Sequence, residues 1–467
     1  MIRFVLPLAL FSLPLAVHAQ DVEPTLQELA FSAGYKAMFT CSATFNAGKT
    51  MEQIAEDELK YTYEVYEALF DDVGDTVIDT ANKTVSVTYS DNMPPRVAVH
   101  RGPLGCVGLP VGGTDAMIAD LPSVEFETPT READLWWPMG DLLPNNLPIS
   151  DAQKTNLDAV IDQAFDGDFN GQTSAVLILK DGAIVSERYR EGFTQDTSQR
   201  TWSVAKSIGA TVIGAAIQDD LIALDEPAGL DAWSQPGDPR AAITIEHLLH
   251  MSSGLNSDPA GNRTDEVYLG GGLITQHATR AGLDAVPGTR WRYANNDTML
   301  ALRALRERMG KDAYLAYPFT ALLHKIGMHD TRPEVDWGGD FVLSSQVWTT
   351  SRDLARLGLL YLQDGVWDGE RILPEGWSDY ASSPAPAQPW GAAEEPKNGH
   401  RGYGAQFWRY LDYPGVPNDT YAALGNRGQF LILVPSENTV IVRRGYDYRS
   451  NYFDGPNFAA SILAALN

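Results

Sequence analysis

Thr201-Trp202-Ser203-Val204-Ala205-Lys206-Ser207 runs straight into the apolar residues 208–217, and the reading of this stretch decides how the rest of the chain is read. Val204, Ala205, Ile208, Ala210, Val212, Ile213, Ala215, Ala216 and Ile217 put apolar groups around the whole of a helix, as in a core element. Residues three apart on a helix share a face, so Ser203 and Lys206 can bring a hydroxyl and an amine within hydrogen-bond reach. A serine hydroxyl needs a base to take its proton, and a lysine whose charged form is disfavoured by burial can act as one. Ser-x-x-Lys alone is a weak pattern, arising about once by chance in a chain of this size. Lys206 is nevertheless the only lysine with a serine three positions before it. A solvent-facing lysine after a loop serine is the bland alternative, and the segment by itself leaves the two readings balanced.

Working outward, 467 residues exceed one ordinary domain and predict a large catalytic domain with a smaller companion. Residues 1–19 read as a signal peptide, with Arg3, an apolar run over 4–17 and Val17-His18-Ala19 as the cleavage site. A periplasmic or secreted protein is therefore expected. Removing that segment moves the formal net charge from −26 to −27. Such acidity argues against a nucleic-acid partner and is better explained by a solvated surface than by attraction of cationic substrates. No later apolar run approaches the roughly 20 residues that span a bilayer. The only cysteines, Cys41 and Cys106, are expected to pair in an oxidising compartment.

Residues 20–120 read as a small α+β domain. Leu26, Leu29, Ala30, Ala33 and Ala37 have helical spacing, a second helix is expected over 51–70, and Val85, Val87 and Tyr89 alternate toward Val97 and Val99 as a hairpin. Residues 121–149, with Trp136-Trp137-Pro138, read as a linker laid against the next domain. In 150–467 a helix over 151–165 precedes a hairpin of 174–179 and 184–189 around Lys180-Asp181-Gly182. Helices fit 245–251, 298–309 and 351–363, a second hairpin joins 430–434 to 439–442, and 458–466 closes as a helix. Strands at both ends with helices between favour an antiparallel sheet assembled from both ends and covered by helices.

Two further elements follow the serine helix: Tyr293-Ala294-Asn295, the only Tyr-x-Asn, and Asn426-Arg427-Gly428-Gln429 at the entrance to the strand 430–434. In that order the three elements resemble the Ser-x-x-Lys serine hydrolases: class C β-lactamases, D-alanyl-D-alanine carboxypeptidases, related carboxylesterases and 6-aminohexanoate-dimer hydrolases. The likeness covers residues 150–467, with Leu248-Leu249-His250-Met251-Ser252-Ser253-Gly254-Leu255 and Ser351-Arg352-Asp353-Leu354-Ala355 as minor landmarks. It implies an α+β fold of the β-lactamase/transpeptidase type, in which an antiparallel sheet is flanked by helices beside a mainly helical subdomain. The small N-terminal domain would precede it. It also implies Ser203 as nucleophile, Lys206 and Tyr293 as a coupled base pair, and Asn295 as a donor holding Lys206 and the substrate. Asn426, Gly428 and Gln429 would bind substrate, the amides of Ser203 and Gln429 forming the oxyanion hole. No cofactor is implied, and the partner is a small ester or amide.

One departure bears on substrate. The β-lactamases and carboxypeptidases carry Lys-Thr-Gly where this chain has Asn426-Arg427-Gly428, and a neutral Asn426 lacks the charge that meets a substrate carboxylate. Esterase or amidase activity is expected ahead of β-lactamase or D-alanyl-D-alanine carboxypeptidase activity. Glu246, His247 and His250 lack a further spaced ligand, so structural histidines are expected rather than a metal site. Ser252 and Ser253 lack a Gly-x-Ser-x-Gly context. The rival from another class is a noncatalytic cell-wall-fragment binding protein on the same fold, against which Ser203, Lys206 and Tyr293 argue together.

Overall fold

The computed structural model describes residues 23–127, 129, 135–257, 265–388, 400–448 and 450–467, and the segment read as a signal peptide lies outside them. Helix α1 (Leu26–Ala47) starts on a capping box between Thr25 and Glu28. After α2 (Met51–Asp57) and α3 (Glu64–Glu67) come four antiparallel strands in sequence order: β1 (Val77–Asp79), β2 (Thr84–Val87), β3 (Arg96–His100) and β4 (Cys106–Gly108). The single helix expected over 51–70 is therefore a correction. Asp57 and Glu58 both face the buried Lys49 ammonium, at 3.4 and 2.5 Å, and adjacent residues on a helix do not share a face. The helix ends there, Tyr61 adopts φ 59, and residues 58–63 run on as an irregular segment.

Cys41 of α1 and Cys106 of β4, both fully buried, form a disulfide with Cα atoms 6.1 Å apart. Ala33, Ala37, Val85, Val87 and Ala98 make a small core between α1 and the sheet, whereas Tyr35, Phe39, Val97, Val99 and Val107 join the main core of the molecule. The alternation at 97, 98 and 99 turns β3 toward both. Further along, the buried Trp137 indole donates to the Gly182 carbonyl and the Arg356 guanidinium donates to the Pro138 and Gly140 carbonyls, which fastens this stretch to the following elements.

The rest of the chain opens with α4 (Asp151–Asp166), the hairpin β5 (Thr173–Lys180) and β6 (Ala183–Tyr189), β7 (Gln199–Arg200) and α5 (Val204–Gln218). A mainly helical region follows: α6 (Ile245–Leu249), α7 (Asp265–Tyr268), α8 (Ile274–His277), α9 (Asn295–Met309) and α10 (Lys311–Tyr317). Strands β8 (Arg332–Pro333) and β9 (Val347–Thr349) pair with β7 as a small sheet. Then come α11 (Ser351–Leu362), the short pair β10 (Val366–Trp367) and β11 (Glu370–Arg371), and α12 (Trp377–Ser382). The chain ends with β12 (His400–Tyr403), β13 (Trp408–Leu411), β14 (Tyr421–Gly425), β15 (Gln429–Val434), β16 (Thr439–Gly445) and α13 (Gly455–Leu466).

Seven strands form one antiparallel sheet in the order β12-β13-β14-β15-β16-β5-β6, so the last strand of the chain lies against the first strand of this region. Both faces are buried. Val176, Ile178, Ile432 and Ile441 pack with α4 and α13, while the alternate residues Leu177, Leu179, Leu431, Leu433, Val440 and Val442 face α5 and α11. Two-sided burial explains why these strands read as continuous apolar runs.

Candidate active site

The residues of α5 from Val204 to Ala216 are buried, and Ser203 caps its N-terminus. A serine at this position ordinarily spends its hydroxyl on an amide of the first turn. Here the Ser203 side chain makes no capping bond, and the Lys206 amide is met by the Ser203 carbonyl at 3.1 Å instead. Trp202 precedes it with φ 51, a left-handed conformation costly for a bulky residue. That turn is held by the Thr201 amide donating to the Val347 carbonyl at 2.8 Å and by the Arg200 guanidinium over the Trp202 ring at 3.5 Å.

Lys206 projects from the first turn into a fully buried position. Its Nζ donates to Asn295 Oδ1 at 2.5 Å and to the Ser344 carbonyl at 2.8 Å, and lies 3.2 Å from Ser203 Oγ. Burial pushes its pKa down to about 7. An uncharged amine has two N–H bonds and one lone pair. With both N–H groups engaged by Asn295 and Ser344, the lone pair is left for the Ser203 hydroxyl. Tyr293 packs beside this group, its ring 4.9 Å from Nζ and in contact with Tyr403 and Trp408. Burial raises the Tyr293 phenol above its ordinary value, a rise that the neighbouring Ser203 hydroxyl opposes. The constellation thus pairs a weakly basic amine with a neutral phenol around one hydroxyl.

A cavity of about 410 Å³ opens over Ser203, and Tyr293, Asn295 and Asn426 line it as well. Gly428 and Gln429 do not, and the register explains why. Asn426-Arg427-Gly428 is the turn between β14 and β15, which closes on the pair Gly425 and Gln429. Arg427 and Gly428 adopt φ 57 and φ 75, and a Cβ on Gly428 would meet Arg443 Nη1 at 1.9 Å. The Gln429 side chain donates to the Arg427 and Gly445 carbonyls and accepts from Arg444. The strand edge that meets Ser203 is Gly425, whose missing Cβ would lie 2.3 Å from the Thr201 carbonyl and 3.2 Å from the Ser203 nitrogen. A three-residue Asn-Arg-Gly loop between the apolar runs 421–424 and 430–434 is a hairpin signal that could have located this edge from sequence.

Sequence reasoning also missed Thr62, Tyr63, Trp202, Asp265, Tyr268, Arg401 and Trp408, which complete the wall with Ser345, Leu424 and Gly425. Apart from Trp202, which directly precedes Ser203, none stands in or beside a motif, and several come from distant segments. Arg427 is committed elsewhere: it donates to the carbonyls of Asp57, Tyr446 and Asp447 and lies 3.4 Å from Thr62 Oγ1. His247 closes a capping box on Thr244, and His250 packs on Tyr380. The Ser253 hydroxyl donates to the buried Asp297 carboxylate at 2.8 Å.

This fold and this arrangement define a hydrolase of the β-lactamase fold. Residues 161–443 match the Beta-lactamase family, and the chain belongs to that family. The chain is 27% identical over 289 residues to a 6-aminohexanoate-dimer hydrolase of Paenarthrobacter ureafaciens, an alignment covering 58% of this chain and 72% of that protein. Among solved structures it resembles a penicillin-binding protein homologue from Caulobacter crescentus, with a TM-score of 0.53 and 15% identity over 68% of this chain and 99% of the other. A hydrolase with promiscuous acyltransferase activity is similar at a TM-score of 0.51 and 16% identity, over 68% and 98% of the two chains. At these identities the structural likeness speaks for the fold alone.

Proposed function

We propose that this chain is a serine hydrolase that cleaves small ester or amide substrates through a covalent acyl-enzyme on Ser203. The observation that carries the reading is the position of Lys206 Nζ, 3.2 Å from Ser203 Oγ and held by Asn295 Oδ1 and the Ser344 carbonyl; once neutral and donating to those two, the amine keeps a lone pair for the Ser203 hydroxyl. Lys206 takes the Ser203 proton as Oγ adds to the substrate carbonyl, and the oxyanion forms against the Ser203 amide and the backbone just beyond Gly425. The proton on Lys206 then passes to the departing alcohol or amine, directly or over the Tyr293 hydroxyl. Water repeats the sequence to release the acid. A fluorophosphonate probe should add one mass increment to the protein and none to Ser203→Ala; an adduct on another residue of active protein would overturn the assignment.

A second reading is favoured by Arg401. This guanidinium lines the cavity and, among the described residues, has neither an ion-pair nor a hydrogen-bond partner. It could receive the carboxylate of a β-lactam or a D-alanyl peptide, the role that the neutral Asn426 does not fill. Under the first reading an uncharged p-nitrophenyl ester is cleaved with a higher kcat/KM than a chromogenic cephalosporin, corrected for intrinsic reactivity. Under the second, Arg401→Ala lowers cephalosporin turnover about tenfold or more and leaves the uncharged ester unaffected.

A further inference from the structure

The irregular segment 58–63, where the expected helix breaks, runs along the cavity that holds Ser203. Thr62 and Tyr63 line that cavity although they lie about 140 residues before the nucleophile and outside the stretch that matches the family. The segment is fixed at three points. At its start, Glu58 Oε1 and the Tyr446 hydroxyl, which follows β16, both bond the buried Lys49 ammonium, at 2.5 and 2.6 Å. Alongside Thr62, Arg427 ties the segment to the turn that carries Asn426, another lining residue. Just beyond it, the Tyr66 hydroxyl donates to the carboxylate of Asp265, on the cavity wall, at 3.0 Å. Between these points the half-buried Tyr63 ring contacts Trp202, the residue before Ser203, at 6.2 Å between centroids, and is backed by Tyr35 and Phe39 of α1 at 5.3 and 6.1 Å.

A ring supported from behind by two buried aromatics cannot swing out of the way without opening the core, so it sets a fixed limit to the space beside the nucleophile. We propose that Tyr63 is a specificity-determining residue of the active site: its ring limits the length of the aliphatic group that a substrate can lay along this wall. The proposal rests on Ser203 being the nucleophile. Since the N-terminal unit supplies this wall, substrate selection is divided between that unit and the family fold.

The test compares kcat/KM along two series on the full chain: p-nitrophenyl acetate, butyrate and octanoate, and ethyl, butyl and octyl acetate. In Tyr63→Ala the octyl-to-short ratio should rise at least tenfold in one series, about what a few methylenes are worth in an apolar site. Tyr63→Trp should lower the same ratio, and Tyr63→Phe should keep it. Melting temperature and fluorophosphonate labelling at Ser203 show whether each variant is folded with its nucleophile in place. Ratios unchanged in both series for a folded, labelled Tyr63→Ala overturn the proposal, as does an equal fall for every substrate. Should Tyr63→Ala fail to fold, Tyr63→Leu and Tyr63→Trp decide by the direction of the ratio. Absence of labelling at Ser203 in the unmodified protein would sink the hydrolase reading itself, which is a separate outcome.

Discussion

Asn295 is the residue through which the charge on Lys206 can be reset. Its neutral carbonyl oxygen, 2.5 Å from Nζ, accepts a hydrogen bond from either form of the lysine, and burial then holds the amine near a pKa of about 7. The active form of the proposed base is the amine, so kcat/KM for an uncharged ester should rise with pH through about 7 and level off above it. Asn295→Asp would place a carboxylate at that distance, favour the ammonium and move the rising limb to higher pH. At pH 7 the variant should lose at least tenfold in kcat/KM and recover part of it by pH 9. A pH–rate profile from 5 to 9.5 checks this. A limb that stays near pH 7 in the variant would show that Lys206 is not the titrating base.

Strand β14 and the turn after it separate residues of the site from residues of the scaffold. Gly425→Ala drives a methyl against the Thr201 carbonyl and the Ser203 nitrogen, so it should lower kcat at least tenfold by pushing β14 off the oxyanion position. Gly428→Ala should instead act on stability, costing about 1 kcal/mol or more, because it strains a left-handed residue against the buried Arg443–Asp447 pair. Denaturant melts beside steady-state kinetics for the two variants distinguish these effects; equal kinetic losses in both would contradict the register argument. The same pair of glycines marks how far the sequence could be read. The grouping of Ser203, Lys206, Tyr293 and Asn295 was legible because it depends on residue type at short spacing along α5 and at the start of α9, and the structure brings the four side chains together. The sheet was legible because β5, β15 and β16 are buried on both faces and carry long apolar runs. Of the expected Asn426, Gly428 and Gln429, only Asn426 lines the cavity, because the chain turns there and Gly425, ending the strand before it, is the glycine that lies against Ser203. Tyr63 was invisible, since nothing local to residues 58–63 signals that Lys49 breaks the helix or that the break faces Ser203.

At the scale of the whole molecule, the N-terminal unit is fastened by chemistry as well as by packing. The Cys41–Cys106 disulfide closes a loop spanning 65 residues, which in the chain-entropy account stabilises the fold by about 4 kcal/mol. Reduction, or the Cys41→Ser/Cys106→Ser double variant, should lower the denaturant midpoint correspondingly, and free thiols titrating in the unreduced, denatured protein would count against the pairing. Next to Cys106, the Glu334 carboxyl accepts from the Ser42 hydroxyl, the Asn46 amide and the Cys106 backbone, and burial raises its pKa to about 7. Its folded pKa lies above its unfolded one, so the native state holds the proton more tightly and stability falls as pH rises from about 4.5 to 7. Glu334→Gln should flatten that part of the stability profile. The order of strands also sets a timetable. β5 leaves the ribosome early, but its neighbour β16 is synthesised roughly 260 residues later, which at ordinary elongation rates is a delay of about 13 to 50 s. Throughout that interval one edge of β5 has no native partner, and a sheet with such distant neighbours also closes slowly once the chain is complete. Newborn chains should therefore be the vulnerable population: in a recombinant host, added chaperone should raise the yield of folded protein more than any change at the active site, whereas slower elongation, which lengthens the unpaired interval, should lower it.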